Sequence, residues 1–236
     1  MYELNKILFL DIETVPQYAS FEELSNEFKD IWIKKASIID NEKSPSDLYF
    51  EKAGIYSEYG KVIVISIGFF SQTDEKLAFR IKTLANHDEK KLLLSFKKLL
   101  EDKFTNSKYR FCAHNGKEFD YPYLCRRMIV NKIALPKILQ IMGRKPWEVP
   151  HLDTLQLWKF GDYKYYTSLE TLTTIFGIPT SKDEIDGSQI SYTYYTENKF
   201  DVIKKYCAKD VISTAKVYLA FYNLGELQDE NITFIH

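Results

Sequence analysis

The stretch "FCAHNGKEFDYPYL" (Phe111–Leu124) starts apolar, as a short buried strand does. It breaks at His114-Asn115-Gly116 and resumes with Phe119, Asp120 and Pro122 as a helix would begin. Proline fits the first helical turn, where its missing N–H would have had no partner anyway. A strand that passes through a tight turn into a helix is a building block of layered α/β folds. One carboxylate, Asp120, stands at the junction. The helix dipole favours an acid there by about 0.3–1 kcal/mol, so simple capping accounts for it when it is taken alone. A metal ligand awaiting partners from elsewhere in the chain is the alternative.

Upstream, "KVIVISIGFF" (Lys61–Phe70) is a continuous β-branched run, and "KLAFRI" (Lys76–Ile81) alternates. The "SQTD" between them predicts a hairpin. Asp88 has the position of a cap for a helix whose stripe is Leu92, Leu93, Phe96, Leu99 and Leu100. At the start of the chain, "KILFLDIET" reads as a buried strand ending in acids. About 45 residues separate it from the next strand, where connections of roughly 4–6 are usual. Ser20 and Glu23 have capping-box spacing ahead of Leu24, Phe28 and Ile31, which predicts a helix there. This segment, about residues 15–60, is expected to cover a sheet edge; a flap over the site is the other reading.

Downstream, Thr167 and Glu170 have capping-box spacing in "TSLETLTTIFGIP", with Gly177 and Pro179 closing that helix. The last helix is expected from about Phe200 to Leu224, with Ile203, Cys207, Val211, Thr214, Tyr218 and Phe221 inside. The pattern predicts an α/β fold, a mixed β-sheet flanked by α-helices, with residues 1–236 as one domain and an insertion at about 15–60.

Composition narrows the function. The chain has 236 residues and is 45% hydrophobic, enough for a sizeable core. Lys plus Arg total 32 against 33 Asp plus Glu. That balance argues against coating duplex DNA by charge, but leaves room for holding a few nucleotides at an end. Cys112, Cys125 and Cys207 lack C-x-x-C spacing, which suggests neither a disulfide frame nor a zinc knuckle. A reduced, cytoplasmic setting is expected. The apolar run Ile7–Leu10 is too short for a signal peptide or a membrane span.

Asp11 and Glu13, two apart on a strand, share a face. Asp210 falls beside the inner stripe of the last helix, where an acid is costly unless paired or bound to metal. Tyr206, one turn earlier, shares its face. Four carboxylates brought together would repel without counter-charge. Two divalent cations would supply it. All-oxygen ligation suits Mg²⁺ or Mn²⁺, and the lack of a His/Cys cluster argues against zinc. Such a pair about 4 Å apart can activate water against a phosphodiester.

"FLDIET", "HNGKEFDYPYL" and "YCAKD" resemble, in order, the three motifs of the DEDD 3′–5′ exonucleases. The second motif is especially similar to the proofreading domain of family-B DNA polymerases, and the whole chain resembles the predicted stand-alone exonucleases related to that domain. Lys205 occupies the place of the histidine in one branch, whereas Tyr206 fits the tyrosine branch, DEDDy. The resemblance implies a ribonuclease H-like fold. It implies that Asp11, Glu13 and Asp210 hold one metal, that Asp11 bridges to a second held by Asp120, and that Tyr206 orients or helps deprotonate the attacking water. Asn115 and Phe119 would sit near the terminal nucleotide. The expected activity is metal-dependent hydrolysis at the 3′ end of DNA, single-stranded by preference, releasing nucleoside monophosphates. A 3′–5′ exoribonuclease and a catalytically silent nucleic-acid-binding module are the alternatives. No polymerase domain fits in this length, so any proofreading role would require a separate polymerase or DNA repair partner.

Other residues get structural readings. Asp153 has the place of an N-cap, with Gln156 in the capping-box position and a supporting role near the metals as the alternative. His114 and His151 read as polar loop residues, His114 near substrate. The tyrosines of "GDYKYYTS" and "SYTYYT" are expected to pack on a sheet edge rather than stack on bases. Lys145, Lys159, Lys164 and Lys182 are candidate phosphate contacts.

Overall fold

Ile7 and Phe9 face one way along the first strand, and Leu8 and Leu10 face the other. All four are fully buried, so both faces of β1 (Ile7–Pro16) are covered. The computed structural model describes residues 3–73, 76–162, 166–179 and 185–235, with the backbone alone for Gln72, Thr73 and Lys76. After β1 come α1 (Asn26–Ile39), α2 (Pro45–Lys52), β2 (Gly60–Thr73), β3 (Lys76–Ala85), α3 (Glu89–Lys103), β4 (Arg110–Ala113) and α4 (Asp120–Val130). The chain continues with β5 (Leu152–Asp153), α5 (Thr154–Lys159), α6 (Leu169–Ile175), α7 (Ile190–Tyr195), α8 (Phe200–Tyr222) and β6 (Ile232–Phe234). The six strands form one mixed sheet in the order β5-β4-β1-β2-β3-β6. Its outermost members are stubs of two and three residues.

On one face, Leu8, Leu10 and Ile12 meet Phe96 of α3 and Tyr121, Leu124 and Met128 of α4. On the other, Ile7 and Phe9 meet Val211, Ala215 and Tyr218 of α8. The mixed, helix-flanked layering expected from the sequence is therefore observed. Among the described residues no helix is long and apolar enough to cross a membrane.

The first strand is longer than expected. It does not stop at the acids, because β2 pairs with it antiparallel through Pro16↔Gly60. What stops is β4, which pairs in parallel only as far as Phe9↔Cys112. Asp11 and Glu13 thus lie in mid-strand, beside the gap that β4 leaves. Opposite Glu13 the ladder shifts: Glu13 pairs with Val64 and Thr14 with Val62, so Ile63 is an extra residue on β2. Bulges of this kind are common beside active sites. The hairpin is also tighter than "SQTD" implied, with Thr73 still paired to Lys76.

Between β1 and β2, the expected helix begins later than predicted. Phe21–Glu23 form a single 3-10 turn, and Ser25, not Ser20, caps α1 by accepting the Phe28 N–H. This later start rotates the buried face. Trp32 and Ala36 are buried, while Phe28 and Ile31 are exposed. Trp32 packs with Leu48, Tyr49 and Ala53 in a small cluster of its own, and its indole donates to the Pro45 carbonyl at 2.7 Å. The α6 cap also moves by one residue. Ser168 accepts the Thr171 N–H, and the Thr167 carbonyl accepts from His114 instead.

His151 is not a polar loop residue. It is 2% exposed, packs at steep ring angles between Phe111 and Tyr121, and its Nδ1 accepts the Phe111 N–H. Burial pushes its pKa down to about 3, so it is neutral. Of the "SYTYYT" tyrosines, Tyr195 donates to the Pro16 carbonyl at 2.6 Å and Tyr194 bonds to His87, which pins α7 to the end of β1.

Candidate active site

β1 aims Asp11 and Glu13 at the α8 face, where α8 presents Cys207 one turn before Asp210. The two carboxylates and the Cys207 sulfur lie within 4.8 Å of one another. Cys207, held as a thiol by burial and then by the nearby Asp11 and Glu13, donates to the Asp11 carbonyl at 3.4 Å. Asp210 and Tyr206 share the inward face of α8, and the Tyr206 hydroxyl hydrogen-bonds to Asp210. From the other side, α4 begins with Asp120, which is 3% exposed. It sits beside the gap left by β4, where the Ile12 N–H is free to reach it.

These acids lie near enough to raise the cost of charge on one another. Burial holds Asp11 well above the usual carboxylate range, and Glu13, Asp120 and Asp210 add to the shift in that order. Burial raises Glu13 likewise, with Asp210 and Asp120 contributing. Asp120 is pushed up to about 7, chiefly by burial and then by Asp153 and Asp210, against the lowering effect of its own and the Ile12 backbone N–H. Tyr206 is raised by burial and then by Asp210, Glu13 and Asp11, so it stays a phenol.

Two carboxylate oxygens, Asp11 Oδ2 and Asp120 Oδ1, are buried without a hydrogen-bond partner among the described residues. Such oxygens cost free energy that a cation would recover. Converging acids, lone oxygens and hard donors fit a divalent cation held among Asp11, Glu13, Asp120 and Asp210.

A cleft of about 620 Å³ opens over this group, lined by Asp11, Tyr206 and Asp210 together with His114, Tyr166 and Lys209. Glu13 and Asp120 are buried and do not line it. Neither do Asn115 and Phe119. Asn115 follows His114 with φ 63°, and its side-chain oxygen is buried without a partner. Phe119 packs on Tyr123 at 5.3 Å.

Asp153 does more than cap α5. Its carboxylate accepts from Leu155 and Gln156 and also from the Asn115 and Lys117 N–H groups, both at 3.0 Å. It thereby holds the turn between β4 and α4. Its signal was an acid at a second strand-to-helix junction, the same signature as Asp120. His114 is fixed by the Thr154 hydroxyl at Nδ1 and the Thr167 carbonyl at Nε2, each at 2.9 Å, which places the proton on Nε2. Lys209 and the turn at Asp186-Gly187 line the cleft too, and so does Tyr166 of "GDYKYYTS", which is exposed there rather than packed on a sheet edge as expected. Lys145 and Lys159 do not line it, and Lys164 and Lys182 lie outside the described residues.

This fold and its acid-floored cleft place the protein among α/β domains of the ribonuclease H-like class. Over residues 55–233 the chain matches the family described as predicted 3′–5′ exonucleases related to the exonuclease domain of PolB, and it belongs to that family. The matched segment holds Asp120, Tyr206 and Asp210, while Asp11 and Glu13 precede it; folding unites the two sets. Among solved structures, the family B DNA polymerase of the hyperthermophilic archaeon Pyrobaculum calidifontis is similar in fold, with a TM-score of 0.54 and 14% identity over 91% of this chain. The chain spans 24% of that polymerase. No curated protein matches it in sequence.

Proposed function

We propose that the protein is a divalent-metal-dependent 3′–5′ exonuclease that shortens single-stranded DNA from its 3′ end and releases nucleoside monophosphates. The observation that carries this reading is the meeting of four carboxylates from β1, α4 and α8, with two buried oxygens unpartnered. Two Mg²⁺ or Mn²⁺ ions bound there would polarise the scissile phosphate and supply a nucleophilic water. Asp11, Glu13, Asp120 and Asp210 would hold the ions between them. Tyr206, a phenol anchored on Asp210, orients the attacking water rather than taking its proton. His114, its ring fixed at both nitrogens by Thr154 and Thr167, forms a rigid wall beside the terminal nucleotide.

The balanced overall charge suits an enzyme that grips a chain end. DNA is favoured over RNA by kinship with a polymerase exonuclease domain. Three buried, unpaired thiols suit the reducing cytoplasm.

Digestion of 5′-labelled DNA and RNA strands with Mg²⁺, Mn²⁺ or chelator tests the proposal. The expected result is a metal-dependent ladder on DNA, with Asp11→Asn and Asp210→Asn slower by roughly two orders of magnitude or more. Strands left whole in both metals, or variants that cut at the normal rate, refute it.

A further inference from the structure

Beside the cleft lies a second groove of about 890 Å³, between the outward side of α4 and the 141–149 loop. We propose that it is a track for single-stranded nucleic acid, which takes the nucleotides upstream of the 3′ end. This rests on the nuclease reading and extends it.

The first argument is exposure. Trp147 on the groove wall is 76% exposed and Met142 is 77% exposed. A folded chain rarely leaves an indole bare without a use for it. The second argument is charge. Lys117, Arg126 and Arg144 line the groove, and the Lys145 ammonium sits 5.4 Å above the Trp147 ring. Among the described residues none of these four cations is ion-paired, whereas Lys43, Lys98, Lys204 and Lys216 each have an acid partner. The nearby acids are engaged: Glu118 accepts from Gln156, and Glu148 accepts the Lys145 N–H at 2.9 Å.

Unpaired cations around an exposed aromatic ring match a strand that offers phosphates and base faces together. An apolar protein surface would bury those cations unpaired, at a high cost. The third argument is continuity. His114 walls the cleft and Lys117, three residues on, lines the groove, and the turn between them is fixed by Asp153. One rigid lip therefore borders both.

The test compares two probes. Thymidine 5′-(p-nitrophenyl phosphate) occupies the cleft alone. Fluorescein-labelled oligothymidylate of three or twelve nucleotides, read by anisotropy in chelator so that nothing is cut, reports the groove. The wild type should bind the longer strand more tightly. Trp147→Ala should weaken that binding about tenfold, the loss of one stacked base, and Trp147→Phe should recover most of it. Arg126→Ala with Arg144→Ala should flatten the salt dependence by about 0.7 in log–log slope per lost phosphate contact. Hydrolysis of the small ester should be unchanged in all of them.

Equal affinity for both lengths, or variants that bind the long strand as the wild type does while the ester is still cut, overturns the track and leaves the groove to a protein partner. Trp147-dependent strand binding with no ester cleavage would keep the track and remove the nuclease reading instead.

Discussion

Each acid of the cleft raises the cost of charge on the others, and Asp120 carries the most readable part of that cost. Its folded pKa of about 7 lies above its ordinary value of 3.8. Between those values the folded chain holds a proton that the unfolded chain has released. Asp120 therefore favours the metal-free fold less and less as pH rises through that window. Buried His151, neutral down to about 3, acts in the opposite sense, since below the usual histidine range only the unfolded chain takes up its proton. A comparison with Asp120→Asn separates the two. The variant should be more stable than the metal-free wild type at pH 8, by on the order of a few kcal/mol, with the gap shrinking toward pH 5. Melting curves of both proteins across that range check this, and a constant gap would refute it. Tyr206→Phe removes the hydroxyl bound to Asp210 but keeps the ring. It should slow cleavage roughly 10- to 100-fold through lost orientation, with strand affinity little changed. Single-turnover rates beside binding curves distinguish this from damage to the site.

At the scale of elements, α4 must be held still, because its first residue is Asp120. Its far end is fastened by Arg127, whose guanidinium meets Glu89 of α3 at 2.6 Å and also reaches the Ser57 carbonyl and Gln17. Glu89 in turn accepts the Val62 N–H and the Asn131 amide, so the buried pair is fully satisfied. Arg127→Ala leaves a carboxylate buried without its counter-charge and should cost about 3–5 kcal/mol. Calorimetry should show a fall in Tm of roughly 6–20 °C; a fall of only a degree or two would mean that the pair fastens nothing. Much of this level was legible in the sequence. An apolar run ending in acids marked β1, a β-branched run marked β2, and Asp88 and its stripe marked α3. The start of α1 was not, because Ser20 and Ser25 both offer a capping hydroxyl and only the packing of Trp32 selects between them. Nor was the true length of β1, which depends on its partner β2 and not on its own residues.

At the scale of the whole molecule, the site exists only because three distant segments meet. Asp11, Asp120 and Asp210 could be named from their local settings. Asp153 was legible as a cap but not as the holder of the 115–117 turn, and His114 and Tyr166 owe their places to tertiary contacts that no local spacing encodes. The helical segment between β1 and β2 contributes nothing to the cleft lining; it docks beside α4 instead, with the Tyr123 hydroxyl donating to the Gly54 carbonyl at 2.8 Å. The sheet carries one more consequence in its outermost strands. β6 pairs with β3 only over Phe79↔Ile232 to Ile81↔Phe234, yet that stub blocks the middle of a ten-residue strand. A chain cut before Ile232 would offer β3 as an open template for a second molecule, and the expected outcome is concentration-dependent self-association, visible by light scattering, in a protein whose cleft is still intact.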